Sequence, residues 1–376
     1  MRVKSNNADS VSVRNYGLDF LKIVATIFIV FHHYQQCMDI VYPTGVNFNG
    51  PFWFYWGWLV ELFFMISGYV TYRYVPVVAD GKISLKDWYV KRAARLLPLI
   101  AVSVFVYEAI LFIHVPVCGG CVSCNGKTVS LWGSLITCLG IQSGGVFANP
   151  MINNPTWYVS GLLIMYTVFY ISTVVSRKLR VPLLYTYIFI VLLGCGLITY
   201  NINLPFLNVE TGRGYSCFFM GLLLAMYVKN YGVSIRLSLL CLAVTVIYLY
   251  LCVFHCGPMG SEQQFLLTFV LYPALVLLTE SGIAKKLFSH GIWQKWGQFS
   301  YNTYIWHTPM LLALNHLGYY WDLKPYLPYR WTMIAFCIAA EIVGIISHYG
   351  IEKPLDRLIK RMVKTNNGNL CHADKA

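Results

Sequence analysis

Lys22 and His33 stand eleven positions apart in an otherwise apolar run from Leu18 to Met38. At 3.6 residues per turn this is about three whole turns and about 16 Å of rise, so both side chains lie on one face of a helix. Asp19 precedes Lys22 by three, shares that face and can pair with its ammonium. With Thr26 these residues form a polar stripe, whereas His32 points elsewhere and reads as structural. An ionisable group in apolar surroundings costs several kcal/mol unless it is paired or hydrated, so each one marks a candidate site. Glu61 lies near the middle of a second apolar run, Phe52 to Tyr72, and its nearest candidate partners in sequence are His33 and Lys22. Against His33 it would fix the imidazole tautomer and stabilise the protonated ring, as the carboxylate of a catalytic triad does; a purely structural pair is the other reading.

Further along, Arg92 and Arg95 share one face at a helix start, with Lys86 and Lys91 close by. Such a cluster anchors topology, contacts anionic lipid, or clamps phosphate through the guanidinium fork. Tyr301, Tyr304 and His307, spaced by three, converge on one face, for interhelical hydrogen bonds or for a cavity. Glu108 and Glu341 lie within apolar runs and require partners. Of the 12 cysteines, Cys118, Cys121 and Cys124 cluster in one loop. They lack a fourth ligand at the expected spacing, so a disulfide with one thiol left over is expected and no metal site. The glycine-rich phosphate loop, the dinucleotide fingerprint and the Gly-x-Ser-x-Gly elbow are all missing, which disfavours ATP-driven pumping and serine-hydrolase chemistry.

These residues must be positioned by membrane helices. Only 11% of the 376 residues are charged and 57% are hydrophobic, too few charges to cover a soluble surface. The mean hydropathy is +0.58. A span needs about 20 mostly apolar residues, and ten candidate runs occur: 18–38, 52–72, 96–116, 157–175, 181–200, 215–228, 235–254, 264–279, 299–317 and 331–349. Residues 131–147 are expected to form a re-entrant or interfacial piece rather than an eleventh span. With the N-terminus in the cytoplasm, only Lys127, Arg213, Lys324 and Arg330 of the 28 Lys and Arg fall outside, as the positive-inside rule requires. The expected fold is therefore an all-α polytopic integral membrane bundle of about ten transmembrane helices with both termini cytoplasmic. A tail over 1–17 precedes the membrane domain, 18–350, and a basic tail follows over 351–376. The first run carries charges and no small-residue cleavage site, so it is expected to be retained as a span. The net charge of +13 sits at the inner membrane surface, which argues against nucleic acid as a partner.

Several segments together resemble the acyltransferase 3 family. Tyr16-Gly-Leu-Asp-Phe-Leu-Lys22 with His33 is similar to its opening, and Gly57 to Gly68, with Glu61, Phe63, Phe64 and Ser67, to its acidic, double-Phe, Ser-Gly motif. Lys91-Arg92-Ala-Ala-Arg95-Leu-Leu-Pro98 resembles its paired-arginine motif, and Trp157 to Leu163 the start of its fourth helix. Phe299 to His307 resembles its Tyr-x-x-Trp-His segment and Ile351-Glu352-Lys353-Pro354 its closing Glu-Lys-Pro. Lys22 and Glu61 replace the commoner Arg and Asp with the charge kept.

The resemblance implies transfer of an acyl group, most often acetyl, from acyl-CoA to a hydroxyl of a cell-envelope sugar or glycan. Arg92 and Arg95, with Lys22, would hold the phosphates of CoA. His33 would be the general base and Glu61 its orienting group, and Tyr301, Tyr304 or His307 would donate to the oxyanion. Direct transfer, a lipid-linked acceptor on the cytoplasmic face and an acyl-histidine relay remain open, as does a homo-oligomer. The expected partners are acyl-CoA, a sugar, glycan or lipid-linked saccharide, and membrane lipids. The expected location is the bacterial inner (plasma) membrane, and any handover to a soluble domain would need another protein. The alternative is a secondary transporter or flippase for a sugar or lipid-linked sugar, with the intramembrane charges as a proton relay; no second copy of the 19–67 pattern occurs in the later half to favour it.

Overall fold

A computed structural model describes residues 14–38, 56–114, 129–148, 150, 152–253, 260–323, 325–327 and 329–359. Each of the ten apolar runs is helical over most of its described residues. The helices are α1 (Tyr16–Met38), α2 (Leu59–Thr71), α3 (Val75–Ala79), α4 (Leu85–His114), α5 (Leu131–Leu139), α6 (Trp157–Leu179), α7 (Leu183–Thr199) and α8 (Val209–Tyr231). They continue as α9 (Ile235–Val253), α10 (Gly260–Leu266), α11 (Tyr272–Thr279), α12 (Gly282–Leu287), α13 (Ile292–Gly297), α14 (Ser300–Tyr320) and α15 (Arg330–Ser347). One π-helical segment, Leu267–Leu271, joins α10 to α11, and another, His348–Glu352, follows α15. Helical backbone then runs on to residue 359, so the fold extends past 350, where the sequence alone placed the start of a tail.

Among the described residues six helical stretches are long and apolar enough to cross a membrane: Tyr16–Gln36, Trp56–Ala79, Leu85–Ile113, Asn154–Leu179, Glu262–Thr279 and Arg330–Ile359. Two shorter ones, Leu183–Thr199 and Ile235–Leu251, are apolar. The remaining two runs became α8 and α14, of 23 and 21 residues, whose polar side chains turn inward: Ser216 on α8, and Asn302, Thr303, His307 and Thr308 on α14, are all buried. Large apolar residues such as Phe112, Leu240 and Ile346 face outward. That arrangement suits lipid as solvent, which satisfies no polar group. Residues 131–147 do not span: α5 has nine residues, about 14 Å of rise, and exposes Leu131, Trp132, Leu135 and Leu139 along one side.

Between apolar helices in lipid, association depends on close packing, and small residues allow it. On α2 a methyl group at Gly68 would meet the carbonyl of Phe218 on α8, and one at Gly221 on α8 would meet the carbonyl of Met65. Gly194 on α7 also sits close against the α8 backbone at Gly212 and Ser216, with less overlap. A short antiparallel pairing, Asn203–Leu204 with Leu207–Asn208, closes the α7–α8 turn, and Asn208 with Thr211 forms the capping box that starts α8.

The central element is α14. Pro309 lacks an N–H, so the carbonyl of Ile305, four residues earlier, loses its helical partner. Asn153 Nδ2, from a residue in left-handed backbone (φ 44°), donates to that carbonyl at 3.2 Å and to Ser103 Oγ on α4 at 2.8 Å. The carbonyl that Pro309 leaves free in α14 is thereby tied to both α4 and the segment before α6.

Candidate active site

Within this frame α1 and α14 bring two histidines together. His33 Nδ1 lies 2.7 Å from His307 Nε2, with ring planes within 6° of parallel. His307 Nδ1 is 2.6 Å from the carbonyl oxygen of Tyr304. A carbonyl only accepts, so His307 Nδ1 carries the hydrogen and its Nε2, when neutral, is a lone pair. His33 Nδ1–H therefore donates to His307 Nε2, and Nε2 of His33 is left as the unprotonated nitrogen. The His33 ring is partly buried, whereas His307 is fully buried, and Thr308 Oγ1 is 3.3 Å from the same His307 nitrogen. The chain of bonds from a backbone carbonyl through two imidazoles fixes one tautomer and leaves one basic atom.

Glu61 does not take the role expected of it. Its carboxylate binds Arg213 on α8 in a fork, Nε to Oε1 at 2.5 Å and Nη2 to Oε2 at 3.0 Å, and accepts from Gln264 Nε2 at 3.1 Å. The Arg213 guanidinium also lies 4.6 Å from the Trp157 ring centre. Glu61 is wholly buried, and a bidentate guanidinium meets its charge more completely than an imidazole could. Arg213 was the missed residue. Its signal was its place among four cations on the wrong side of the charge tally, between Gly212 and Gly214 in an inward-facing helix.

The two tyrosine hydroxyls are also spent. Tyr301 donates to the carbonyl of Leu96 at 2.6 Å and Tyr304 to that of Pro155 at 2.9 Å, so neither is free to donate to an oxyanion. Their rings help build the site: Tyr304 packs 5.8 Å from the His307 ring and edge-on to Phe63 and Tyr158. Glu341 accepts from Thr303 Oγ1, and Glu108 accepts from Ser134 Oγ. Cys118, Cys121 and Cys124 lie outside the described residues. Among the described residues no group of three or more His, Cys, Asp and Glu side chains could hold a metal ion.

On the other side of the bundle the expected pairing of Asp19 with Lys22 is present at 3.2 Å, and Arg14 completes the cluster at 2.8 Å. Lys22 is within electrostatic reach of Arg95. The two arginines of α4 diverge. Arg92 lies over the Trp88 ring, flanked by Tyr166 at 4.8 Å and Tyr74 at 5.3 Å, and donates to the Trp88 carbonyl. Arg95 is exposed and lines a cavity of about 390 Å³ with Pro98, Leu99, His348, Glu352, Lys353 and Asp356. Glu352 Oε2 accepts from Asn302 Nδ2 on α14 at 2.7 Å and from His348 Nδ1 at 2.6 Å. Asn302 Oδ1 accepts from Ser347, whose hydroxyl accepts from Trp306. The closing Glu-Lys-Pro segment is thus bonded to the helix that carries His307.

The structure is that of a helical membrane protein with a paired-histidine centre in its core and a cavity lined by Arg95, Lys353, Glu352 and Asp356 toward one end. The chain matches the family model described as an acyltransferase domain over residues 15–349 and belongs to the acyltransferase 3 family. It is a membrane acyltransferase. No curated protein and no solved structure matches it significantly.

Proposed function

We propose that the protein transfers an acyl group, acetyl in the simplest case, from acyl-CoA to a hydroxyl of a cell-envelope sugar or glycan at the bacterial inner membrane, with His33 as general base. The observation that carries this reading is the bonded pair of His33 and His307, which leaves His33 Nε2 basic. In the reaction Nε2 takes the acceptor's hydroxyl proton as that oxygen bonds to the thioester carbonyl carbon. The tetrahedral intermediate then collapses, the C–S bond breaks, and Nε2 returns the proton to the departing thiolate. While Nε2 is protonated, the Nδ1–H bond to His307 holds the ring in register.

The donor fits the other end. Arg95 and Lys353 bring two cations to one cavity, which Glu352 and Asp356 also line, with Lys22 near Arg95, and these cations would hold the phosphates of CoA. Leu96, adjacent to Arg95, is bonded to Tyr301, and six residues further along α14, about 9 Å of rise, stands His307. Phosphates held at Arg95 would therefore let the flexible pantetheine arm run along α14 toward His33. The acceptor reaches the pair from the other side of the bundle. Arg92, enclosed by aromatic rings, is an anchor for α4 and not a donor contact.

The test is turnover by purified protein. Wild-type protein should consume acetyl-CoA with a glycan acceptor, and His33→Gln should lose at least about 100-fold in rate, the lower bound for a general base, with donor binding intact. An unchanged rate in His33→Gln would reject the base. An absence of acyl-CoA consumption, with a change in surface export of one glycan in cells, would favour the transporter.

A further inference from the structure

Two hydroxyls in the core are spent only on each other. Ser67 Oγ on α2 and Tyr158 Oη on α6 lie 3.3 Å apart, a long contact for two oxygens, and neither has another hydrogen-bond partner among the described residues. Two hydroxyl hydrogens therefore share at most one bond. The hydroxyls around them are committed to backbone: Tyr301 and Tyr304 donate to the carbonyls of Leu96 and Pro155, and Thr71 donates to the carbonyl of Ser67 itself. Ser67 also interrupts the burial of α2. From Leu59 to Gly68 every other residue is buried, whereas Ser67 is partly open, although its partner Tyr158 is buried edge-on against Phe64 and Tyr304. Lipid satisfies no polar group, so an open hydroxyl bonded to a buried ring faces an internal space. The Tyr158 ring stands 5.8 Å from that of Tyr304, which stands 5.8 Å from that of His307. Tyr158 is also within electrostatic reach of Tyr301 and Tyr166, and both of these are within reach of Arg95. The hydroxyl pair thus borders the route along α14 from the donor cavity to His33.

Acyl transfer needs hydrogen-bond donors at such a place. As the acceptor oxygen bonds to the thioester carbon, the carbonyl π electrons move to its oxygen, and donors already in position stabilise the charge that develops there. Tyr301 and Tyr304 have no hydrogen to give. One oxygen can stand about 2.8 Å from each of two hydroxyls that are 3.3 Å apart, and on its arrival both hydrogens turn from each other to it. We propose that Ser67 Oγ–H and Tyr158 Oη–H together form the oxyanion site of the transfer, an inference that rests on the function proposed above. Both donors stay protonated throughout: they lend hydrogen bonds while the tetrahedral intermediate lasts and release the oxygen when the C–S bond breaks and the carbonyl re-forms. Their bonds to an uncharged thioester are weak and those to the oxyanion strong, so the pair acts on kcat and leaves KM for the donor nearly untouched.

The test uses purified protein as wild type, Ser67→Ala and Tyr158→Phe, each of which deletes one oxygen and keeps the surrounding contacts. Turnover of acetyl-CoA with a glycan acceptor is measured together with the infrared band of bound, carbonyl-labelled acetyl-CoA. Each variant should lose about 100-fold in kcat, the lower range for removal of one oxyanion donor, with KM for acetyl-CoA within about twofold and the melting temperature unchanged. The thioester carbonyl band should lie at lower frequency in wild type than in either variant, because the hydroxyls polarise it. Should Ser67→Ala fail to fold, Tyr158→Phe decides alone. Wild-type kcat in the folded variants, or a rise in KM with kcat kept, overturns the proposal and leaves the acyltransferase reading standing. So does a carbonyl band that neither substitution moves. If wild type binds acetyl-CoA with the shifted band but never transfers the acyl group, the reaction is rejected and the hydroxyl pair stands as a carbonyl-binding site; no binding of acetyl-CoA at all overturns both.

Discussion

His307 offers the sharpest test of how the site works, because it acts only through His33. Replacing it by Leu removes the acceptor for His33 Nδ1–H and leaves the Tyr304 carbonyl its helical partner only. The bond that selects the His33 tautomer is neutral to neutral, with a net strength of about 0.5–1.5 kcal/mol, or roughly 2- to 12-fold in population. Orientation adds to this, since a free imidazole also rotates about its χ2 angle. The total cannot exceed the value of the base itself, about 10²–10⁴-fold. A fall of about 10- to 100-fold in kcat for His307→Leu is expected, with KM for acetyl-CoA unchanged because the donor cavity lies elsewhere. His307→Gln, whose side-chain carbonyl can stand in for Nε2 as acceptor, should recover most of the rate. Steady-state acetyl-CoA consumption, with melting temperatures to confirm folding, measures each. Equal rates in wild type and His307→Leu, or a glutamine variant as slow as the leucine one, would refute the tautomer argument.

Other parts of the fold make independent predictions. Arg213→Met leaves the wholly buried Glu61 with only Gln264, and should cost about 3–5 kcal/mol by denaturation, whereas Glu61→Gln costs less because Arg213 keeps access to solvent. Gly221→Ala should lower the melting temperature sharply, since its methyl group would occupy the place of the Met65 carbonyl; Gly196→Ala, which meets nothing within 4 Å, should leave it unchanged. At the foot of α11, burial alone would raise the Glu280 carboxyl, but hydrogen bonds from Lys285, Tyr69 and Asn15 outweigh it and hold the pKa below the usual carboxylate range. Its stabilisation is thus present above the unfolded value of about 4.3 and is lost as pH falls through the lower folded value. Acid titration of wild type against Glu280→Gln should show their stability difference shrinking across that window, and a constant difference would reject the assignment.

The apolar runs were legible because lipid demands them: a stretch of twenty apolar residues has few other uses, and among the described residues six of the ten runs fall in helices long and apolar enough to cross a membrane. The Asp19–Lys22 pair was legible because three residues on a helix decide proximity by themselves. Glu61 could not be placed that way. Its partner is 152 residues away on α8, and which of His33, Lys22 and Arg213 it meets depends on how α2 and α8 close over Gly68 and Gly221. The tyrosines failed for a related reason. A spacing of three puts Tyr301, Tyr304 and His307 on one face, but says nothing of the carbonyls of Leu96 and Pro155 that claim two of them. The sequence marked His307 as polar in an apolar helix, and only tertiary packing made it the partner of His33.

One helix sets the distance between the two ends of the proposed reaction. Asn302, near the start of α14, holds Glu352 and through it the cavity-facing His348, and His307 five residues later holds His33. Both contacts are made by side chains of a rigid rod pinned midway by Asn153 at the carbonyl that Pro309 leaves without a partner. A shift of α14 along its axis would move the donor cavity and the base together, and so would preserve their separation. A bend from Pro309 would open between Ile305 and Pro309, the stretch that carries His307, and the Asn153 bond to the Ile305 carbonyl restrains it. The spacing needed to carry a thioester from Arg95 to His33 is thus built into helix geometry, while the flanking helices need only keep both ends covered from lipid.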